Sequence, residues 1–162
     1  MDSPVLRSAS VERVRAALDA AGVDAEIVEL PGAARTAALA AAFLGCAVAQ
    51  IANSLVFRGA TSGAPILVMS SGARRVDTAR LGTAAGEPVG KADADFVRLH
   101  TGFAIGGVAP VGHTGALKCF VEKSLAAHDT VWVAGGHPHT VFRLRYDTLV
   151  RITGGLEIEA AA

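Results

Sequence analysis

Apolar residues in this chain fall into short blocks, and the spacing within each block separates helices from strands. Val11, Val14 and Leu18 recur at i, i+3 and i+7, the period of one helix face. Ser10 is placed to cap that helix and Gly22 to end it. Residues 25–30, stopped by Pro31-Gly32, read as a short strand. Thr36 precedes the alanine-rich run 37–44, which Gly45 closes, so a second helix is expected there. Residues 51–57 and 66–70 are strand-length apolar runs separated by turn-forming residues at 59–63. Asp77 and Asp93 are expected to cap two further helices, with Val89-Gly90-Lys91 between them. After a glycine- and proline-rich stretch at 103–115, strands are expected at 117–122, 130–134 and 140–144, around a short helix near Ser124. Asp147 is expected to cap a last helix carrying Leu149, Val150 and Ile152, stopped by Gly154-Gly155. The alanine-rich tail beyond it is expected to fray.

Strands joined by short turns, with helices interspersed and no repeat or linker, predict one α+β domain over residues 1–162 with a mixed sheet. Hydrophobic residues make up 51% of the chain, but much of that is alanine, so Val, Leu, Ile and Ala must form the core. No apolar run reaches the roughly 18–20 residues that cross a bilayer. Met1-Asp2-Ser3-Pro4 lacks the basic and then apolar start of a secretion signal, so a cytoplasmic location with no membrane partner is expected. Cys46 and Cys119 lie far apart with no metal-ligand spacing and read as buried, reduced thiols. Lys and Arg number 15 against 15 Asp and Glu, so general attraction to phosphate is weak and no DNA partner is expected. An RNA grip would need local clusters such as Arg74, Arg75 and Arg80, or Arg143 and Arg145.

Three segments could carry chemistry. In the strand 51–57, Ile51, Asn53, Leu55 and Phe57 share one face, and Asn53 is its only polar group. A buried amide without partners costs about 1–3 kcal/mol. Asn53 therefore either bonds a nearby backbone group or points into a pocket to meet a ligand, with Phe57 on the same face. The second segment is the loop 102–113, where Gly106 and Gly107 allow a ligand close to the backbone N–H groups and Pro110 stiffens the chain. Such donors suit the oxyanion formed when water attacks an ester. The same loop mimics a phosphate-binding P-loop (Gly107-x4-Gly112-His113-Thr114), but His113 replaces the lysine and Pro110 removes a donor, so that reading fails. The third segment is Gly135-Gly136-His137-Pro138-His139 after the strand 130–134, where His137 could polarise a carbonyl or bind a ribose hydroxyl. Two histidines without a nearby carboxylate or cysteine make a poor metal set, so neither metal nor cofactor is expected. With no Gly-x-Ser-x-Gly elbow and no suggestive carboxylate pair, hydrolysis would rest on positioned water and backbone donors.

Taken in order, these segments resemble the YbaK/EbsC family of aminoacyl-tRNA editing domains, also called prolyl-tRNA-synthetase-associated domains. The strand 51–57 resembles the family's hydrophobic-Lys-(Ser/Thr/Asn)-Leu-hydrophobic strand. Residues 102–112 resemble its Thr-Gly-(Tyr/Phe)…Gly-Gly-x-x-Pro-x-Gly loop, and Gly135-Gly136-His137 its late Gly-Gly-(His/Lys) segment. The match runs from about Ser10 to Gly154. It implies a compact mixed β-sheet, partly barrel-like, with flanking helices. It also implies a trans-acting deacylase that hydrolyses tRNA mischarged with a small amino acid, with aminoacyl-tRNA and in some cases a synthetase as partners. On that resemblance Gly106, Gly107, Val108 and Ala109 cradle the ester and Asn53 orients substrate or water. His137, Gly135, Gly136, Pro110 and Phe57 would then contact the substrate. The family lysine falls at Asn53, which brings no charge; Lys91 is a candidate substitute. The alternative implied by that departure is a silent domain that binds a tRNA 3′ end, an aminoacyl group or a synthetase.

Overall fold

The computed structural model describes residues 3–32 and 36–162. In chain order it comprises α1 (Ala9–Ala20), β1 (Val28–Glu29), α2 (Ala37–Leu44), β2 (Ala52–Gly59), β3 (Pro65–Ser71), α3 (Thr78–Ala85), β4 (Val89–Lys91) and α4 (Ala94–Thr101). The second half adds β5 (Lys118–Glu122), β6 (Thr130–Ala134), β7 (Thr140–Arg145), α5 (Tyr146–Thr153) and β8 (Leu156–Ile158). Short 3-10 turns at Val48–Gln50 and Lys123–Ala127 lead into β2 and β6.

Five strands form one sheet in the order β4-β2-β3-β5-β8, and three form another in the order β1-β7-β6. The larger sheet is mixed: β2 pairs antiparallel with β3 and β4, whereas β3–β5 and β5–β8 are parallel. The fold is therefore α+β, as the element order predicts. The sheets meet at one bridge, Ile51 to Trp132, and do not close into a barrel among the described residues.

The main core lies between the two sheets. Leu67, Met69 and Val121 of the larger sheet meet Val131, Val133, Phe142 and Leu144 of the smaller one, with Val11, Val14 and Leu18 of α1 packed against both. Every residue of β3 is buried, because α3 covers its other face with Leu81 against Ile66, Val68 and Phe120. A third cluster, Ala40 and Ala41 of α2 with Ile51, seats α2 beside the bridge that joins the sheets.

Local capping chemistry explains most helix boundaries. Thr36 accepts from the Leu39 N–H, Asp77 from Ala79 and Arg80, and Asp93 from Phe96, while Gly45, Gly86, Gly102 and Gly154 end their helices in the left-handed region. Four expectations are corrected. Ser8, not Ser10, caps α1: its backbone is extended and its hydroxyl takes the Val11 N–H, one of the orphan donors of the first turn. The strand expected at 25–30 shrinks to Val28–Glu29, the only stretch that finds a ladder partner, on β7. Asp147 lies inside α5, since β7 runs directly into that helix through extended Arg145; its carboxylate pairs with Arg145 instead. The tail is ordered by long-range pairing. β8 runs parallel to β5, Asp77 donates to the Ala160 carbonyl at 2.6 Å, and Ala162 donates to Arg75 at 2.8 Å.

Candidate functional site

The bridge between Ile51 and Trp132 leaves a cleft of about 260 Å³ where the two sheets, α2 and the glycine loop meet. Its walls are mostly apolar: Ala37 and Ala40 from α2, Ile51 and Leu55 from around β2, Ile105 and Val108 from the loop. Trp132, Val133, Ala134, Pro138 and Val141 of the β6–β7 hairpin complete them. Polar groups are few: Thr36, Asn53, Ser54 and Thr140. Three of these are engaged. Thr36 caps α2, Ser54 donates to the Met69 sulfur at 3.4 Å, and Thr140 braces the turn around His137. Asn53 alone is uncommitted: its side-chain amide has no hydrogen-bond partner among the described residues. The structural bond that a buried amide would need is not there, because Asn53 is only half-buried and faces the cleft.

The glycine loop enters between α1 and the β6–β7 hairpin. Arg13 of α1 holds both of its ends, donating to the Gly102 carbonyl at 2.6 Å and to Gly112 at 3.3 Å, with its guanidinium 4.9 Å from the Phe103 ring centroid. His113 fastens the middle through a 2.7 Å bond from Nε2 to the Ala109 carbonyl. Burial, assisted by nearby Arg13, holds the His113 imidazole below its ordinary pKa even though the bond to Ala109 works the other way. Within the loop, the Gly107 N–H donates to Ala104 at 2.9 Å and is not free for a ligand. The N–H groups of Gly106 and Val108 have no acceptor among the described residues, and both residues line the cleft. Val108 is a buried residue, and a buried backbone donor is nearly always satisfied, which sets its unpaired N–H apart.

The structure places the remaining candidates as follows. Ala109 is fully buried behind the cleft wall. Pro110 lines a separate, more open hollow of about 560 Å³, together with Val111, His113 and Cys119. Gly135 and Gly136 permit close packing: a Cβ on Gly135 would come within 2.8 Å of Ile27, and one on Gly136 within 2.9 Å of the Ser10 carbonyl of α1. His137 is not among the residues that line the cleft; its backbone supports the loop at Gly107, and its Nδ1 accepts the His139 N–H at 3.1 Å. Partial burial and neighbouring His139 lower its pKa, against a smaller opposing pull from Glu29. Phe57 lies on the same face of β2 as Asn53 but farther along the strand, packed with Ile66 and Val68 outside the cleft lining, and Lys91, its partner in the β2–β4 pairing, is exposed away from that lining. Asn53, Gly106 and Val108 are thus brought together in the cleft lining; Gly107, Ala109, Gly135, Gly136 and His137 stand behind or beside it, and Phe57, Pro110 and Lys91 lie elsewhere. The pattern reading missed Trp132 and Arg13. Trp132, the only tryptophan, sits on the opposite face of its strand from Val131 and Val133, and that alternation was the available signal. Cys119 is buried, its thiol pushed up to about 11 by desolvation, and Cys46 is half-buried with its thiol also raised.

Comparison with known proteins gives a consistent picture. The sequence model of the family described as "Aminoacyl-tRNA editing domain" matches residues 31–152. The uncharacterized protein YwhH of Bacillus subtilis (strain 168) is 28% identical over 119 residues, 74% of this chain and 75% of its own. A proposed trans-editing enzyme for prolyl tRNA synthetase is 39% identical, with a TM-score of 0.89 over 96% of this chain and 98% of its own. A structure from work on epitope backbone grafting onto scaffold proteins is 37% identical, with a TM-score of 0.90 over 96% and 99%. No described helix is long and apolar enough to cross a membrane.

Proposed function

Since the chain belongs to the aminoacyl-tRNA editing domain family, we propose that it is a trans-acting deacylase that hydrolyses the ester between tRNA and a wrongly attached small amino acid. One observation carries this reading: a largely apolar cleft whose lining brings together an amide without a described partner, Asn53, and two residues whose backbone N–H groups have no described acceptor, Gly106 and Val108. The apolar walls suit a short side chain, and discrimination among small amino acids is what a second sieve has to add to a synthetase.

The chemistry follows from these groups. Water adds to the ester carbonyl, and the developing oxyanion accepts from Gly106 and Val108, each such donor being worth about 3–4 kcal/mol in the transition state. Collapse breaks the bond to the ribose oxygen, releasing the amino acid and a tRNA hydroxyl. The Asn53 amide, which can donate and accept, orients the ester or the attacking water. No carboxylate or imidazole is among the described lining residues, so rate enhancement rests on positioning and backbone electrostatics. That same lack of an acid or base, with Asn53 in place of a lysine, favours a second reading: a silent domain that holds a tRNA end or an aminoacyl group.

The test is a deacylation assay with tRNAs charged with Ala, Ser, Thr, Cys and Pro. Selective hydrolysis of a small amino acid is expected. No hydrolysis of any of them by folded protein would sink the deacylase and leave the binding domain.

A further inference from the structure

The cleft lining contains no lysine or arginine among its described residues, yet its proposed substrate is a polyanion. The charge is supplied from its edge. Trp132 and Arg143 are direct partners across the β6–β7 ladder, and the Arg143 guanidinium carbon lies 5.7 Å from the Trp132 ring centroid. Trp132 lines the cleft, as does Val141, two residues before Arg143 on the same face of β7. Arg143 therefore stands about 7 Å further along the strand from a cleft wall. A guanidinium held over a ring face by cation–π attraction keeps N–H groups available, and their fork matches two oxygens of a phosphate. The next arginine on that face, Arg145, has its edge occupied by Asp147 at 3.1 and 3.3 Å. Arg143 is exposed and has no carboxylate within ion-pair distance among the described residues.

We propose that Arg143, held in place by Trp132, contacts a backbone phosphodiester near the 3′ end of the tRNA whose terminal ester occupies the cleft. This rests on the deacylase reading of the same site. An ester seated between Asn53 and the loop leaves its ribose and the adjoining phosphate to extend outward, and the Trp132 side of the mouth is where a cation is fixed to meet them. Asn53 gives substrate orientation without charge; Arg143 gives charge without entering the reaction.

The experiment measures binding of uncharged tRNA across a salt series, by quenching of Trp132 fluorescence and by anisotropy, for wild type, Arg143→Gln, Arg143→Lys and Arg145→Gln. Hydrolysis of charged tRNA and of a minimal aminoacyl ester is measured on the same proteins. Arg143→Gln is expected to weaken tRNA binding roughly tenfold, the low end for a charge-assisted contact. It should also flatten the log–log salt dependence by about 0.7. KM for charged tRNA should rise at constant kcat, with hydrolysis of the minimal ester unchanged. Arg143→Lys should keep the salt slope, and Arg145→Gln should change little. If wild type hydrolyses charged tRNA but Arg143→Gln matches it in affinity and slope, the inference falls and the deacylase stands. If wild type hydrolyses nothing yet binds tRNA with an Arg143-dependent slope, the deacylase falls and the contact stands. A wild type that neither binds nor hydrolyses overturns both.

Discussion

Gly107 rests directly on the backbone of His137: a Cβ built on it would lie 2.9 Å from the His137 Cα and 2.8 Å from its carbonyl carbon. Nothing softer than main chain is there to yield, so Gly107→Ala must push the loop off the hairpin. The expected result is a stability loss of about 1–3 kcal/mol and a fall in deacylation on the order of a hundredfold, since the Gly106 and Val108 donors move with the loop. Gly106→Ala acts differently. Its Cβ has room, with Pro138 at 3.8 Å, but its φ of +89 is one that an L residue adopts at a cost of about 1–2 kcal/mol. Urea unfolding and single-turnover deacylation on both variants check this; a fully active Gly107→Ala would show that contact with His137 does not hold the donors in place.

Asn53 gives the complementary case of a residue whose removal should disturb chemistry and not folding. It is half-buried and has no described partner to lose, so Asn53→Ala should shift stability by no more than about 0.5 kcal/mol. Loss of one neutral hydrogen bond to substrate, about 0.5–1.5 kcal/mol, should lower kcat/KM roughly three- to tenfold. Asn53→Lys places an ammonium group at the cleft and should lower KM for charged tRNA in low salt. An Asn53→Ala enzyme with unchanged kcat/KM would remove the amide from the reaction.

What could be read from the sequence was local. Thr36, Asp77 and Asp93 announce their helices because a cap is a contact between residues two or three apart, and Gly45 or Gly154 ends a helix through its own φ. Contacts between distant segments left no such mark. β8 and the seat of Ala160 depend on β5 and on Glu122, far away in sequence, and an alanine tail carries no pattern that reveals such a neighbour. The site divides in the same way. Asn53 and Gly106 stand out as a polar residue on an apolar face and as part of a glycine pair. That Pro110 lines another hollow, and that Phe57 on the Asn53 face is taken up farther along under α3, depends on where the loop and α3 pack, which neither period nor spacing encodes. Arg13 was invisible for that reason, its two carbonyl partners lying 89 and 99 residues away.

The ordered tail makes a testable claim about stability. Glu122 is 4% exposed, and its two carboxylate oxygens take the N–H groups of Ser124 at 3.1 Å and Ala160 at 2.6 Å. Glu122→Ala would leave both donors unpaired, that of Ala160 buried and that of Ser124 part-buried, at a cost of about 2–4 kcal/mol from two bonds to a charged acceptor. Removing residues 159–162 keeps the Ser124 bond but also gives up the Asp77–Ala160 and Ala162–Arg75 bonds, so it should cost at least as much as Glu122→Ala. Urea midpoints order the three proteins; a truncation clearly milder than Glu122→Ala would mean that the carboxylate acts mainly through Ser124 and that the tail adds little to stability.

His113 should make the glycine loop sensitive to acid. The Ala109 carbonyl can only accept, so His113 Nε2 carries the proton and the neutral ring needs no second one. Burial keeps its folded pKa below the ordinary 6.5, with Arg13 adding to the effect. As pH falls through 6.5 the unfolded chain therefore takes up a proton before the folded protein does, and stability declines. The decline levels off only below the folded pKa; above 6.5 the contribution is fully present. His137 shifts in the same direction, so the wild-type pH dependence contains both residues. His113→Gln isolates one of them: its amide can still donate to Ala109 but does not titrate, and His137 is unchanged. Urea midpoints between about pH 5 and pH 8 should fall less steeply toward acid in His113→Gln than in wild type. Deacylation should follow the same difference, since this bond secures the loop that presents Gly106 and Val108. Parallel curves for the two proteins would assign the acid sensitivity to His137 or elsewhere and remove His113 from control of the loop.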